Sequence, residues 1–174
     1  MDYDFEYLEY SGRLSFKDVH GIDARFECYQ RIRVLAPELE KVQDRFWGDG
    51  DQLFEYVSPN AANCTLVRLN GKTALISRLP HRYHHGDEIE LRSIRQLHHA
   101  FKDSHEWWEF TPFVPHERVR LSISFPLARE PEGLSVVADR GTAAPFVARP
   151  GTKEFLMIIN SPAVGSLYRT EWDW

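Results

Sequence analysis

The sequence predicts an all-β fold: an antiparallel β-sandwich of about eight to ten strands with at most one or two short helices, or, as the alternative closure of the same strands, a β-barrel. Three observations predict it. Apolar residues recur at alternate positions over short runs, most plainly in residues 25–35 (RFECYQRIRVL) and 118–126 (RVRLSISFP). Clusters of Gly, Pro, Asn and Asp punctuate those runs at intervals of about 8–15 residues, the spacing of strands joined by turns. No repeated alternation of strand and long helix runs along the chain, as a parallel doubly wound sheet would require.

The bulk properties bound the function. A chain of 174 residues, 43% hydrophobic and 13% aromatic, has ordinary globular composition and is expected to form one β-rich domain over 1–174, with 1–9 as an N-terminal arm. The net charge of −5 argues against nucleic acid and anionic membrane, both of which reward a basic patch. The longest apolar run, residues 155–159 (FLMII), is strand length, far from the ~18 residues that cross a bilayer. The start MDYDFEYLEY lacks the basic and apolar regions of a secretory signal, so a cytoplasmic location is expected. The two cysteines, Cys28 and Cys64, lie inside apolar alternating runs, where a thiol behaves as a small hydrophobe. No disulfide framework is implied.

Taken in order, residues 13–19 read as a weak strand ended by His20-Gly21. Residues 25–35 read as a half-buried strand, with Phe26, Cys28, Ile32 and Val34 on one parity and Gln30 its polar exception. Residues 38–46 read as a short helix, followed by a loop at 46–51, and 53–57 as a short strand. Residues 64–79 hold two apolar runs around Asn70-Gly71, a pair suited to the positive φ angles of a two-residue hairpin turn. Residues 88–101 carry both a helical spacing (Leu91, Ile94, Leu97, Phe101) and a strand alternation (Ile89, Leu91). The β character of every neighbour favours a strand over 88–97. Residues 110–115 read as a proline-punctuated crossover, 119–125, 134–138 and 153–159 as strands, and 167–174 as a closing strand with Tyr168, Thr170, Trp172 and Trp174 on one face.

Seven of the eight histidines fall between His81 and His116, interleaved with carboxylates and with Trp107 and Trp108. Histidine is the commonest metal ligand and the side chain most ready to move protons near neutral pH. His84, His85, His98 and His99 are the candidate ligands for a transition metal. Adjacent histidines on an extended chain point to opposite faces, so one of His84 and His85 could meet one of His98 and His99. The run His81-Arg-Tyr-His84-His85-Gly-Asp-Glu88 resembles the closely spaced histidines followed by glutamate of the cupin barrels. It departs from that pattern in lacking the H-x-H spacing, and residues 150–154 (PGTKE) hold no later histidine. The resemblance implies a metal-dependent β-barrel enzyme using histidines of 81–105.

The aromatic content points elsewhere. Tryptophan and tyrosine give large contact area for few frozen torsions and anchor interfaces. The leading expectation is therefore a non-catalytic β-sandwich, an interaction or regulatory module without cofactor that binds a protein partner. Its contacts would be Trp47, His84, His85, Trp107 and Trp108, on loops at 46–51, 81–87 and 104–113, and the histidines would make binding pH-sensitive between about 5.5 and 7.5. A third expectation is a structural or assembly protein whose C-terminal strand, residues 167–174, is a free edge pairing between chains.

Overall fold

The computed structural model describes residues 3–46, 50–58, 60, 63–69, 72–139, 147–148 and 153–174. Within them the chain forms thirteen strands and no helix: β1 (Phe5–Phe16), β2 (Asp23–Val34), β3 (Glu38–Phe46), β4 (Asp51–Val57), β5 (Asn63–Leu69), β6 (Lys72–His84), β7 (Glu88–His98), β8 (His105–Phe110), β9 (Arg118–Ser124), β10 (Glu132–Ala138), β11 (Val147–Ala148), β12 (Glu154–Asn160) and β13 (Tyr168–Asp173). They make a seven-stranded sheet in the order β11-β12-β9-β1-β2-β7-β4 and two three-stranded sheets, β10-β13-β8 and β3-β6-β5. The sheets stay open and pack on one another, which makes the fold a sandwich and not a closed barrel. Among the described residues no helix is long and apolar enough to cross a membrane.

Both small sheets cover the same face of the large one. That face carries Ala24, Phe26, Cys28, Gln30, Ile32 and Val34, the buried parity of β2. At one end the Phe26 ring meets Trp108 of β8 edge-on at 5.7 Å. Toward the other end Gln30 of β2 and Leu91 of β7 enclose a small void together with Val42, Leu75 and Ser77 of the β3-β6-β5 sheet. The densest packing lies under β13. Trp172 is 1% exposed and its ring is about 6 Å from those of Phe16, Phe101, Phe125 and Trp174.

Pairing is antiparallel except between β1 and β9, which run parallel from Tyr10↔Val119 to Ser15↔Ser124. A parallel pair needs a long crossover, and the six strands between β1 and β8 supply it together with β8 itself. The hairpin expected over 64–79 is present as β5 and β6, paired down to Leu69↔Lys72. Asn70 and Gly71 lie outside the described residues. Residues 88–97 form the preferred strand, β7.

Four expectations are corrected. Residues from Phe5 onward form a central strand, not an arm: Phe5, Tyr7 and Leu8 are buried. The pairing register shifts between Tyr7 and Glu9, so the buried parity changes from odd to even and no single alternation runs through the segment. Glycine at position 12 hides the strand further. A Cβ there would lie 3.2 Å from the Phe26 ring, so the site is packed without a side chain of its own. Residues 38–46 are strand β3, not a helix. A register shift between Leu39 and Lys41 turns both Leu39 and Val42 inward, and that three-residue spacing imitates a helix. Residues 105–110 are a strand, not a loop. The C-terminal strand β13 is no edge: β10 flanks it on one side and β8 on the other, which leaves its backbone nothing to offer a second chain.

Candidate binding cleft

Among the described residues a cavity lies where the two small sheets face each other across the same floor. Its volume is about 380 Å³, within the size range of ligand pockets. All six residues of β8 line it. Side chains of one strand face alternate sides, so a cavity touched by every residue in turn runs along the strand's edge. That edge carries no partner strand among the described residues, because β8 ends its sheet. Across the cleft stand Gln43 and Asp44 of β3, which ends the other small sheet. Tyr10, Leu14, Phe26, Arg95 and Leu97 of β1, β2 and β7 form the floor, and Thr111, Phe113, Val114 and His116 close one end.

Alternation along β8 divides its chemistry. His105, Trp107 and Glu109 face outward over β13: His105 Nδ1 lies 2.7 Å from Asp173, Arg169 bonds Glu109 at 3.0 Å, and the Arg169 guanidinium sits 5.1 Å from the centre of the Trp107 ring. Glu106, Trp108 and Phe110 face inward. Glu106 is buried and accepts a hydrogen bond from the Asp103 amide at 2.6 Å. Phe110 packs 5.1 Å from Tyr10 and 5.4 Å from His116. Arg95 is 3% exposed, with its guanidinium carbon 4.6 Å from the Phe26 ring centre and its Nη1 donating to the Gln52 side-chain Oε1 at 3.3 Å.

Burial sets the protonation states. His116 is stacked on Tyr7 at 4.4 Å, and its Nδ1–H donates to the Val114 carbonyl at 2.7 Å. Desolvation pulls its pKa down to about 4, against which that hydrogen bond acts, so the ring is neutral at pH 7. Tyr7 and Tyr10 are held well above the ordinary tyrosine value, first by burial. Burial, then the negative charge of Asp44, pushes the Cys28 thiol up to about 12, which leaves it protonated and unreactive. The floor is therefore aromatic and mostly neutral, crossed by Arg95 and bordered by carboxylates.

Of the residues expected to form the site, Trp107 and Trp108 are here, on a strand edge and not on a loop. Trp47 lies outside the described residues. His84 and His85 lie at the β6–β7 turn, where the Asp87 amide donates to the His84 carbonyl at 2.9 Å and the His84 amide to the Asp87 carboxylate at 2.8 Å. His98 ends β7 and His99 follows it, at the far end of the strand and roughly 30 Å away at ~3.3 Å per residue. The two pairs therefore cannot share an ion. His98 is taken up by Asp23 at 2.6 Å, and the His99 amide donates to Ile22 at 2.6 Å. Among the described residues no group of three or more His, Cys, Asp or Glu is placed to hold a metal.

Sequence reasoning missed Arg95, Asp44, Glu106 and Tyr10. A signal existed for Arg95: once 88–97 is a strand, the parity of Ile89 and Leu91 carries Arg95 inward with Leu97. Ile94 masks it by supplying an apolar residue of the opposite face at helical spacing. No comparable signal marks Asp44, whose orientation depends on the register shift in β3.

No family model matches the chain, and no curated protein matches it. Solved structures do. A protein from Parabacteroides distasonis assigned as a protease shares 10% identity with a TM-score of 0.59, over 98% of this chain and 40% of that one. An M1 zinc metallopeptidase from Deinococcus radiodurans shares 12% identity with a TM-score of 0.57, over 95% of this chain and 42% of that one. Yeast LTA4 hydrolase shares 12% identity with a TM-score of 0.54, over 97% of this chain and 29% of that one. The likeness is one of fold. The chain spans less than half the length of each of these proteins.

Proposed function

We infer that the chain is a non-catalytic β-sandwich module that recognises a protein partner through the cleft beside β8. The single observation that carries this reading is the cleft itself: a cavity of about 380 Å³ with aromatic walls, running along a strand edge that is unpaired among the described residues and bordered by a few fixed polar groups. That combination fits recognition of a polypeptide better than turnover of a small molecule. The chemistry of the floor, and of Cys28 buried in the core behind it, supports the non-catalytic part. Cys28 is protonated, His116 is neutral with its Nδ1–H committed to a carbonyl, and Tyr7 and Tyr10 hold their protons. The fold shared with parts of peptidases suits a domain that handles polypeptide beside a catalytic unit.

Selection of a random displayed-peptide library on the chain tests the reading, with counter-selection on Trp108→Ala. The expected result is a set of peptides enriched on the chain and lost on the variant. Peptides that bind both proteins equally, or cleavage of the bound peptides by the chain alone, would overturn it.

A further inference from the structure

The geometry points to strand addition as the mode of binding: an extended, basic segment of the partner pairs its backbone with the free edge of β8 and sends alternate cationic side chains into the cleft. This rests on the cleft being the recognition site.

Three observations carry it. β8 is a six-residue strand whose other edge is fully engaged, from Tyr168↔Phe110 to Asp173↔His105. Its backbone groups toward the cleft thus form a pre-ordered template, and an incoming strand would satisfy them at little ordering cost to the module. β3 also ends its sheet on the far side of the cleft, so an added strand would lie between two sheet edges and close the gap between the small sheets. Of the other sheet ends among the described residues, β4 reaches this cavity only through Gln52, and β5, β10 and β11 do not line it.

The side-chain preference follows from charge and from the rings. The Glu109 carboxylate turns outward to Arg169, while three carboxylates, Asp44, Asp103 and Glu106, line the cleft against one guanidinium, Arg95. The rings of Tyr10, Trp108 and Phe110 turn toward it, and an aromatic face attracts a cation. In an extended segment every second side chain points the same way, so lysines or arginines at alternate positions would all enter. An acidic segment would meet the carboxylates and be rejected.

The test uses three fluorescent peptides as long as β8: six residues alternating arginine and threonine, the same peptide N-methylated at alternate amides, and a glutamate-for-arginine version. Methylation leaves the charge and removes the backbone donors. We expect the basic peptide to bind, to slow hydrogen exchange at β8 amides, and to lose at least about tenfold in affinity on methylation, since several backbone bonds are lost together. The acidic peptide should not bind. The double variant Asp103→Asn/Glu106→Gln keeps the side-chain shapes and should weaken the basic peptide several-fold without altering the fold. Equal binding of the methylated peptide, unchanged β8 exchange, or no binding of the basic peptide would overturn strand addition. Trp108-dependent library peptides of another character would then leave the cleft reading standing, whereas absence of any such peptide would remove both.

Discussion

Two aromatic clusters lie on the same face of the same sheet and come to opposite ends. Under β13, Phe16, Phe101, Phe125, Trp172 and Trp174 interlock, mostly edge to face with Phe16 stacked on Phe125, and leave Trp172 1% exposed. Under β8, Tyr10, Phe26, Trp108, Phe110 and His116 make similar ring contacts, yet they stand around a cavity of about 380 Å³. Ring count and ring geometry do not separate the two. Sheet order does: among the described residues β13 has a strand on each side, and β8 has one on one side only. A strand flanked on both sides brings its inward side chains up against covered neighbours, while an end strand leaves one flank for solvent or for a partner. A tryptophan's role here follows from its strand's place in the sheet more than from its neighbours in sequence.

Truncating one ring in each cluster should separate the two most. Trp172→Ala should cost about 3–5 kcal/mol of unfolding free energy, because a fully buried ring leaves an unfilled void. Trp108→Ala should cost only about 1–2 kcal/mol, since that ring already borders empty space. Urea denaturation of both variants checks this, and equal losses would mean that the cleft is closed in solution.

A second test exploits the histidine that only the cleft contains. His116 has a pKa of about 4 in the folded chain, against 6.5 for an ordinary histidine. As pH falls, the unfolded chain therefore takes up the proton first. This contribution to stability is fully present above pH 6.5 and is lost between pH 6.5 and 4, to a total on the order of 3 kcal/mol. Denaturation measured across that window should show the loss, and His116→Phe, which can keep the stack on Tyr7, should flatten it. The sharpening matters for binding as well: the buried histidine of the cleft titrates below the range of about 5.5–7.5 expected of unperturbed imidazoles. The smallest expected effect is that of Trp107→Ala. This ring faces outward at 41% exposure, so stability should change by no more than about 0.5 kcal/mol in a thermal or urea measurement.

Much of the fold was legible wherever alternation ran unbroken. β2, β7 and β9 could be read from residues alone because each keeps one buried parity or nearly so. β1 and β3 could not. Each carries a register shift that moves its buried side chains from one parity to the other, and so breaks the period-two signal from which strands are read. The candidate site was half legible. Trp107 and Trp108 were singled out for their size, but the histidines drew attention by number, and number says nothing about the length of strand that separates them.

The amino-acid sequence by itself determined the all-β class, the separation of strands by turns and the inward parity of the regular strands, because these depend on contacts between near neighbours and on local backbone preference. It also determined that Cys28 would be a quiet core thiol. The tertiary structure alone decided which strands end their sheets, that β13 is enclosed while β8 is open, that His84 and His98 stand at opposite ends of β7, and that Arg95, Asp44 and Glu106 meet around one cavity. These depend on pairings between residues far apart in the chain. Such pairings are set by the summed packing of three sheets, which no local pattern of residues encodes.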